Sequence, residues 1–204
     1  MRIALFGGTF DPPHRGHLAI ASAAADAFRL DRVLFAPAGR QPLKPEAHST
    51  PYANRLAMTA LACACDPRFE VSTIDAPRPD GRPNYTVDTL AELHRLHPEA
   101  MVFNLVGADS FLDLPRWREP DRLIELAEWI VASRPHFSLD GVAALHLTPN
   151  QRARVHLLET THDDISATDL RHRLQTSDPC ADIIPPDVLA YIQTHRLYGR
   201  AAST

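Results

Sequence analysis

The residues best suited to chemistry lie near the start of the chain, where two glycines are followed closely by two histidines. Residues 7–17 read Gly-Gly-Thr-Phe-Asp-Pro-Pro-His-Arg-Gly-His. Glycine permits backbone angles and close approaches that a Cβ would prevent, and His14 and His17 share one face of a helical turn. A helix N-terminus adds free N–H groups and a partial positive charge. This combination predicts an anion site, above all for a phosphate.

The two histidines have other interpretations. They can be a structural pair, or they can bind a metal, but a zinc site needs a third protein ligand and only Asp11 is near in sequence. We therefore favour phosphate and predict no metal site made by the protein. Thr9 can hydrogen-bond the turn itself or lie beside the phosphate. The dinucleotide fingerprint and the Walker loop are both absent, which leaves hydride transfer and P-loop chemistry without their usual sequence support.

A second polar cluster lies near residue 166. Ser166 followed by Asp169 is typical of a helix cap, whereas Thr168 and Arg171 lie three residues apart on the same early face of that helix. The planar guanidinium of Arg171 offers several donors to phosphate oxygens. The sequence thus allows both an ordinary helix start and a second phosphate contact.

Further candidates are scattered along the chain, and each has a structural alternative. Lys44 lies in a proline-rich loop at residues 37–51 and by itself is a solvated charge. Tyr85 and Thr86 open a helix, where Thr86 can act as a cap. Trp117 can be a core aromatic residue or a stacking surface. The remaining candidates follow buried strands: Gly107, Asp109, which can cap a helix or bind a ribose hydroxyl, and Arg134.

Alternating strand and helix patterns provide the framework for these residues. Strands are predicted over residues 2–6, 33–36, 69–73, 101–106, 129–132 and 155–158, and helices over residues 17–28, 52–64, 85–96, 120–127, 166–174 and 186–195. Residues 75–84 form a loop, and residues 136–150 a loop or short helix. The predicted inward faces are Leu56, Ala57, Ala60, Leu61 and Ala64 in one helix, and Val87, Leu90, Leu93 and Leu96 in the next.

This alternation predicts an α/β fold, Rossmann-like, with three layers and a mostly parallel central sheet. The chain of 204 residues suits one domain over residues 1–204, with a helical C-terminal part from about residue 165. Ligands of such sheets lie beyond the C-terminal ends of the strands, which is where the run at residues 7–17 falls.

Composition narrows the class of protein. A net charge of -4 gives no overall field for nucleic acid or an anionic membrane, and no apolar run is long enough to span a bilayer. Three cysteines do not make a disulfide framework, and they suit a reducing compartment. We expect a cytoplasmic protein without nucleic-acid or membrane partners, which can be a homo-oligomer.

The run at residues 7–17 resembles the signature of the nucleotidylyltransferase superfamily, whose short form is His-x-Gly-His. That superfamily carries Ile-Ser-x-Thr-x-x-Arg near its C-terminus, matched by residues 165–171, where it holds the outer phosphates of ATP. Its loop after the second strand often reads Pro-Pro-His-Lys. Here Leu43 replaces the histidine, which leaves Lys44 as the candidate phosphate contact.

Within the superfamily, the chain is similar to the bacterial nicotinate-nucleotide adenylyltransferase family. The matching segments are Tyr-Thr-x-x-Thr-Leu from Tyr85, Gly-x-Asp-Ser from Gly107, Trp117, Arg-Pro at Arg134, and the closing pattern from Ile184 to Tyr198. The resemblance covers about residues 2–198 and is poorest over residues 136–155. It implies adenylyl transfer from ATP to nicotinate mononucleotide, with Mg²⁺ carried mainly by the ATP phosphates.

The resemblance also implies roles for particular residues. Catalysis would fall to His14, His17, Lys44 and Arg171. ATP would be bound by Gly7, Gly8, Thr9, Phe10, Gly16, Gly107, Asp109, Ser166 and Thr168. Nicotinate mononucleotide would be bound by Tyr85, Thr86, Trp117 and Arg134. The alternatives are another phosphate acceptor, of which nicotinamide mononucleotide is the hardest to exclude, and a nucleotide sensor without catalysis.

Overall fold

Parallel strands form the centre of the computed structural model, which describes residues 1–40, 42, 49–133, 145–159, 167–176 and 180–199. In those residues there are six strands: β1 (Arg2–Gly8), β2 (Arg32–Pro37), β3 (Phe69–Val71), β4 (Met101–Gly107), β5 (Glu128–Ser133) and β6 (Val155–Glu159). They lie in the order β3-β2-β1-β4-β5-β6, and each neighbouring pair is parallel. The predicted Rossmann-like sheet is confirmed.

The strand order reverses at β1, which lies between β2 and β4. Gly7 and Gly8 at its C-terminal end are in register with Ala36 and Pro37 of β2. On the other side, Phe6 is in register with Leu105, two residues before β4 ends at Gly107. An open parallel sheet leaves a crevice where successive connections leave in opposite directions. The histidine run therefore leaves the sheet at its natural ligand crevice.

Helices connect the strands. They are α1 (Arg15–Phe28), α2 (Tyr52–Cys63), α3 (Thr86–Leu96), α4 (Ala108–Leu112), α5 (Pro120–Glu125), α6 (Pro149–Ala153), α7 (Ala167–Gln175) and α8 (Pro186–Thr194), with a 3₁₀ turn at Leu114–Arg116. The six predicted helices are present, whereas α4 and the 3₁₀ turn are too short to give a periodic signal. No helix in the described part of the chain is long and apolar enough to cross a membrane.

The side chains of alternate strand residues lie in two apolar layers. Ile3 and Leu5 belong to one layer, with α3 and α5, and Ala4 and Phe6 belong to the other, with α1. This alternation is expected when both faces of a sheet are covered. A third cluster joins α2 to α7 and α8 through Met58, Ala62, Leu170, Cys180, Ile184, Val188 and Ile192. Leu96, predicted to face inward, is 49% exposed where α3 ends.

The predicted inward face of α2 is wrong. The structure buries Arg55, Met58, Thr59, Ala62 and Cys63, while Leu61, predicted to be buried, is 36% exposed. The sequence pattern places arginine and threonine in solvent because a buried polar group costs free energy when it lacks partners. Here both have partners, since Thr59 Oγ1 donates to the Arg55 carbonyl and the Arg55 guanidinium donates to three other carbonyls.

Candidate active site

A cleft of about 700 Å³ opens where β1 and β4 end. Its lining combines the end of β1 and the turn after it, the first residues of α1 and α3, and the segment from α4 to Trp117. Twelve of the predicted site residues line it: Gly7, Gly8, Thr9, Phe10, His14, Gly16, His17, Tyr85, Thr86, Gly107, Asp109 and Trp117. Residues from three stretches of the sequence, 7–17, 85–86 and 107–117, thus meet in one cleft.

The C-terminal candidates lie at the edge of this cleft. Ala167, the first residue of α7, lines it, whereas Thr168 and Arg171 are not among its lining residues. Lys44, Arg134 and Ser166 fall outside the described residues. Their assignment to the site stays a prediction.

Gly7 and Gly8 contribute space rather than unusual backbone angles, since neither has a positive φ. A Cβ at Gly7 would meet no atom within 4 Å, because Gly7 faces the cleft. A Cβ at Gly8 would lie 3.1 Å from Cζ of Phe10. Gly7 therefore leaves room for a ligand, and Gly8 leaves room for the ring of Phe10.

The Phe10 ring supports His17. Its centroid is 5.0 Å from that of the His17 ring in an edge-to-face arrangement, and it also packs edge-on against Phe6. Phe10 is only 2% exposed and has a φ of 49°, in the left-handed region that a phenylalanine seldom adopts. The Phe10 ring packs in the core beneath the histidine, and Phe10 also lines the cleft, so its contact with ATP stays a prediction.

His14 and His17 lie against each other at the start of α1, with ring centroids 3.7 Å apart. The backbone N–H of His14 donates to Nδ1 of His17 at 3.2 Å. Because Nδ1 is the acceptor, a neutral His17 carries its proton on Nε2. The fold thereby selects one tautomer and makes Nε2–H of His17 a hydrogen-bond donor.

Both imidazoles are neutral at pH 7. Burial lowers the pKa of His14 to about 4. Burial, and then the neighbouring His14, hold the pKa of His17 well below its ordinary value. Nδ1 of His14 is a buried nitrogen without a hydrogen-bond partner, which is costly unless a ligand supplies one. The pair therefore offers polar groups to a ligand without carrying a resident charge.

Asp11 fixes the turn before the histidines. Its carboxylate is 1% exposed and accepts from the Thr50 N–H at 2.9 Å and from the Tyr198 hydroxyl. Burial and the nearby Asp11 charge raise the pKa of Tyr198, so this hydroxyl keeps the proton that it donates. The backbone carbonyl of Asp11 accepts from Arg171 at 2.9 Å. Residues distant in sequence therefore hold the turn in place.

Arg55 is a second anchor, and sequence reasoning missed it. Its side chain is buried, and it donates to the carbonyls of Thr50 at 2.9 Å and of Thr9 and Ala38 at 2.8 Å. Ala38 and Thr50 lie near the two ends of the loop that contains Lys44. Arg55 thus ties that loop to the histidine run. Its position between Asn54 and Leu56 carries no sequence signal of burial.

Arg171 reaches the histidine run from the opposite end of the sequence. Besides the Asp11 carbonyl, it contacts the Thr168 hydroxyl at 3.2 Å. Both of these oxygens are formally neutral, whereas phosphate oxygens form stronger, charge-assisted hydrogen bonds with a guanidinium. Arg171 therefore lies close to the cleft with acceptors that a phosphate could replace.

The other end of the cleft is formed by α3 and Trp117. Tyr85 is the N-cap residue of α3, and no side chain caps the helix, so its first N–H groups can meet an anion. Trp117 packs against the core near Trp129, with ring centroids 6.1 Å apart. The indole Nε1 of Trp117 is buried without a partner. Trp117 is thus both a core aromatic residue and a wall of the cleft.

Several polar residues of the cleft were not predicted. Asn104 of β4 is 3% exposed and lines it, as does Ser133 at the end of β5. Asp75 also lines it and accepts from the Thr89 hydroxyl at 2.9 Å. Burial raises the pKa of Asp75. Asn104 is a single polar residue within an apolar strand, Ser133 ends a strand and Asp75 lies in a loop, so none of them belongs to a recognisable motif.

No group of three His, Cys, Asp or Glu side chains in the described ranges could hold a metal ion. The side chains of His14 and His17 offer ring nitrogens. Mg²⁺ prefers oxygen ligands. A nucleotide in this cleft would have to bring most of the ligands for such an ion.

Comparison with known proteins identifies the class of protein to which this chain belongs. A family model described as cytidylyltransferase-like matches residues 5–173, in agreement with the fold and the histidine run. Two relatives carry the name "probable nicotinate-nucleotide adenylyltransferase". The one from Roseiflexus sp. strain RS-1 is 48% identical over 196 residues, and the one from Roseiflexus castenholzii is 44% identical over 197 residues. These alignments cover 96% and 97% of this chain, and 97% and 98% of the relatives. The chain belongs to the nicotinate-nucleotide adenylyltransferase family.

Solved structures agree on the fold. The nicotinic acid mononucleotide adenylyltransferase of Plasmodium falciparum, solved in complex with NaAD, superposes with a TM-score of 0.75. The match covers 97% of each chain at 18% identity. At this identity the likeness concerns the fold, while the family rests on the closer sequence relatives.

Proposed function

We propose that this protein transfers the adenylyl group of ATP to nicotinate mononucleotide, giving nicotinate adenine dinucleotide and pyrophosphate in NAD biosynthesis and, as its composition predicts, in the cytoplasm. Membership of the family supports the reaction. The observation that carries the assignment of the site is the His17 imidazole, neutral and with its Nδ1 occupied, at a helix start beside Gly7. This arrangement suits a phosphate whose charge increases during reaction.

The reaction needs no protein nucleophile. An oxygen of the 5′-phosphate of nicotinate mononucleotide forms a bond to the α-phosphorus of ATP, and the bond from that phosphorus to the bridging oxygen of pyrophosphate breaks. The attacking phosphate is largely ionised near pH 7, so it needs no strong base. Catalysis then consists of positioning the two phosphates and stabilising charge as it develops.

His17 would donate Nε2–H to an α-phosphate oxygen. The hydrogen bond to Nδ1 and the contact with Phe10 hold its ring in place, so little reorganisation is needed when charge develops. His14 would contribute its unpartnered Nδ1, and Thr9 and Gly16 would border the same phosphate. The open space at Gly7 lets the phosphate approach the backbone.

The outer phosphates of ATP would be held from the C-terminal side. Arg171 and Thr168, with Ser166 and Lys44, are proposed to bind the β- and γ-phosphates. In the structure Arg171 donates to the Asp11 carbonyl and contacts Thr168, so it is anchored on the histidine run itself. Phosphate oxygens would replace these neutral acceptors. Mg²⁺ would be held by phosphate oxygens and water, and it would neutralise part of the charge on the leaving group.

The acceptor would enter from the side of α3. Trp117 offers a flat surface for the pyridine ring, and the uncapped N-terminus of α3 at Tyr85 and Thr86 can accept its carboxylate. Arg134 is proposed to lie near this substrate. Asp109 lines the cleft beside Gly107 and is proposed to bind a ribose hydroxyl.

A pyrophosphate-release assay with ATP and Mg²⁺ tests this proposal, with nicotinate mononucleotide and nicotinamide mononucleotide compared at matched concentrations. We expect a higher kcat/KM with the nicotinate substrate. Equal values, or a preference for the amide, would refute the acceptor but leave the reaction class. Binding of ATP without pyrophosphate release would refute catalysis and indicate a nucleotide sensor.

A further inference from the structure

Two arginines flank Trp117, and both Arg116 and Arg118 line the cleft. Arg118 lies over the ring of Tyr85, with its guanidinium carbon 4.7 Å from the ring centroid. Tyr85 is the N-cap residue of α3. The guanidinium of Arg118 is therefore placed beside the uncapped start of a helix and beside Trp117, where two of the groups proposed to bind the pyridine ring meet.

The contacts of the two arginines differ. Arg116 forms an ion pair with Asp113 at 3.0 Å. Arg118 lies 3.4 Å from one oxygen of Glu119, while the other oxygen of Glu119 accepts from Arg122 at 2.9 Å. An exposed ion pair such as that of Arg118 with Glu119, at 3.4 Å, contributes little free energy. Of the two arginines, Arg118 has the charge that a ligand could engage more easily.

Acidic side chains line the cleft, so a cation beside the start of α3 would favour the binding of an acidic ligand. The carboxylates of Asp75, Asp109 and Asp113 all line the cleft. They would repel the carboxylate of the nicotinate ring. Asp88, the acidic residue in the first turn of α3, lies instead in a separate outer groove, 3.4 Å from Arg78. Of the charged side chains near the start of α3, Arg118 thus lines the cleft and Asp88 does not.

We propose that the Arg118 guanidinium binds the carboxylate of the nicotinate ring and sets the preference for the acid over the amide. The inference rests on the proposed function, because it concerns the acceptor of that reaction. A guanidinium is planar and can donate two parallel hydrogen bonds to a carboxylate. A carboxamide carries no charge and would gain far less from the same contact. Stacking on Tyr85 limits the side-chain freedom that binding would otherwise remove.

The test is the ratio of kcat/KM for nicotinate mononucleotide to that for nicotinamide mononucleotide, measured by pyrophosphate release. In Arg118→Gln we expect this ratio to fall by about 10- to 100-fold, the range for loss of a hydrogen bond to a charged group. The loss should appear mainly in the KM of the nicotinate substrate. Arg118→Lys keeps the charge without the planar donor pair, so its ratio should lie between those of wild type and Arg118→Gln.

Arg82→Gln is the matched control, since Arg82 is exposed, is paired with Asp80 at 2.7 Å and does not line the cleft. It should leave the ratio unchanged. An equal fall for both substrates in Arg118→Gln, or an unchanged ratio, would overturn the inference. Failure of the proposed function would look different, because the wild-type enzyme itself would then show no preference for nicotinate mononucleotide.

Discussion

The two ends of the cleft are built in different ways. At the histidine end, Asp11, His14 and Arg55 are buried, and Asp11 and Arg55 receive hydrogen-bond partners from distant parts of the chain. At the α3 end, the side chains of Arg116 and Arg118 are 65% and 53% exposed. The histidine end depends on tertiary hydrogen bonds, whereas the α3 end depends on packing and surface charge.

This difference corresponds to two proposed tasks, which are catalysis at the α-phosphate and selection of the acceptor. Groups that act on the α-phosphate must be held rigidly, because catalysis of this kind depends on preorganised donors. Groups that select the acceptor can lie on exposed side chains, since they need only favour one ring substituent over another. Changes at the histidine end should therefore lower the rate with any acceptor, and changes at the α3 end should alter the choice of acceptor.

The largest effect is expected at His17, the proposed donor to the reacting phosphate. His17→Ala should lower kcat by about 10²–10³-fold with both pyridine nucleotides, because it removes the preorganised Nε2–H. Steady-state pyrophosphate release and circular dichroism, measured together, test this. A folded variant with near-normal kcat would remove His17 from catalysis. A loss confined to one pyridine would break the proposed division between the two ends.

The next largest effect is expected on protein stability, when Arg55, which anchors the histidine end, is replaced. Arg55→Met should lower the free energy of unfolding by roughly 3 kcal/mol, because three carbonyls lose a buried donor. The KM for ATP should rise while the KM for nicotinate mononucleotide changes little. Denaturant titration and kinetics give both quantities. Arg95→Met is the control, since Arg95 is exposed and paired with Glu92, and its stability should match wild type. Equal destabilisation by the two substitutions would contradict the anchoring role.

A smaller effect distinguishes the two glycines at the end of β1. Gly8→Ala should lower the free energy of unfolding by about 1 kcal/mol, because the new methyl crowds the buried Phe10 ring. Gly7→Ala should leave stability unchanged and raise the KM for ATP, because its methyl enters open cleft space. Thermal unfolding and ATP kinetics of both variants make the comparison. Equal stability of Gly8→Ala and Gly7→Ala would show that the Phe10 ring leaves room for a methyl group at position 8.

Much of the fold could be predicted from sequence because strands and helices alternate with clear periods. The sheet and the six longer helices depend on local patterns of apolar residues. The convergence of residues 7–17, Tyr85, Gly107 and Trp117 could also be predicted, since the C-terminal ends of parallel strands and the helices after them share one edge of the sheet.

The network that holds the histidine end could not be predicted in this way. Arg55 looks like a solvent-facing residue until Thr9, Ala38 and Thr50 bring their carbonyls to it. The Tyr198 hydroxyl reaches Asp11 across 187 positions of sequence. Such pairings depend on tertiary geometry, and neither residue carries a local signal for the other.

The contacts made to Asp11 have a consequence for synthesis. A chain emerging from the ribosome presents β1 to β5 once Ser133 is free, and early segments fold first as synthesis proceeds. The partners of Asp11 at Arg171 and Tyr198 are made later, after several more seconds of elongation. A nascent sheet can therefore form before the turn proposed to be catalytic is secured, and activity should appear only when the C-terminal helices have been released and have docked.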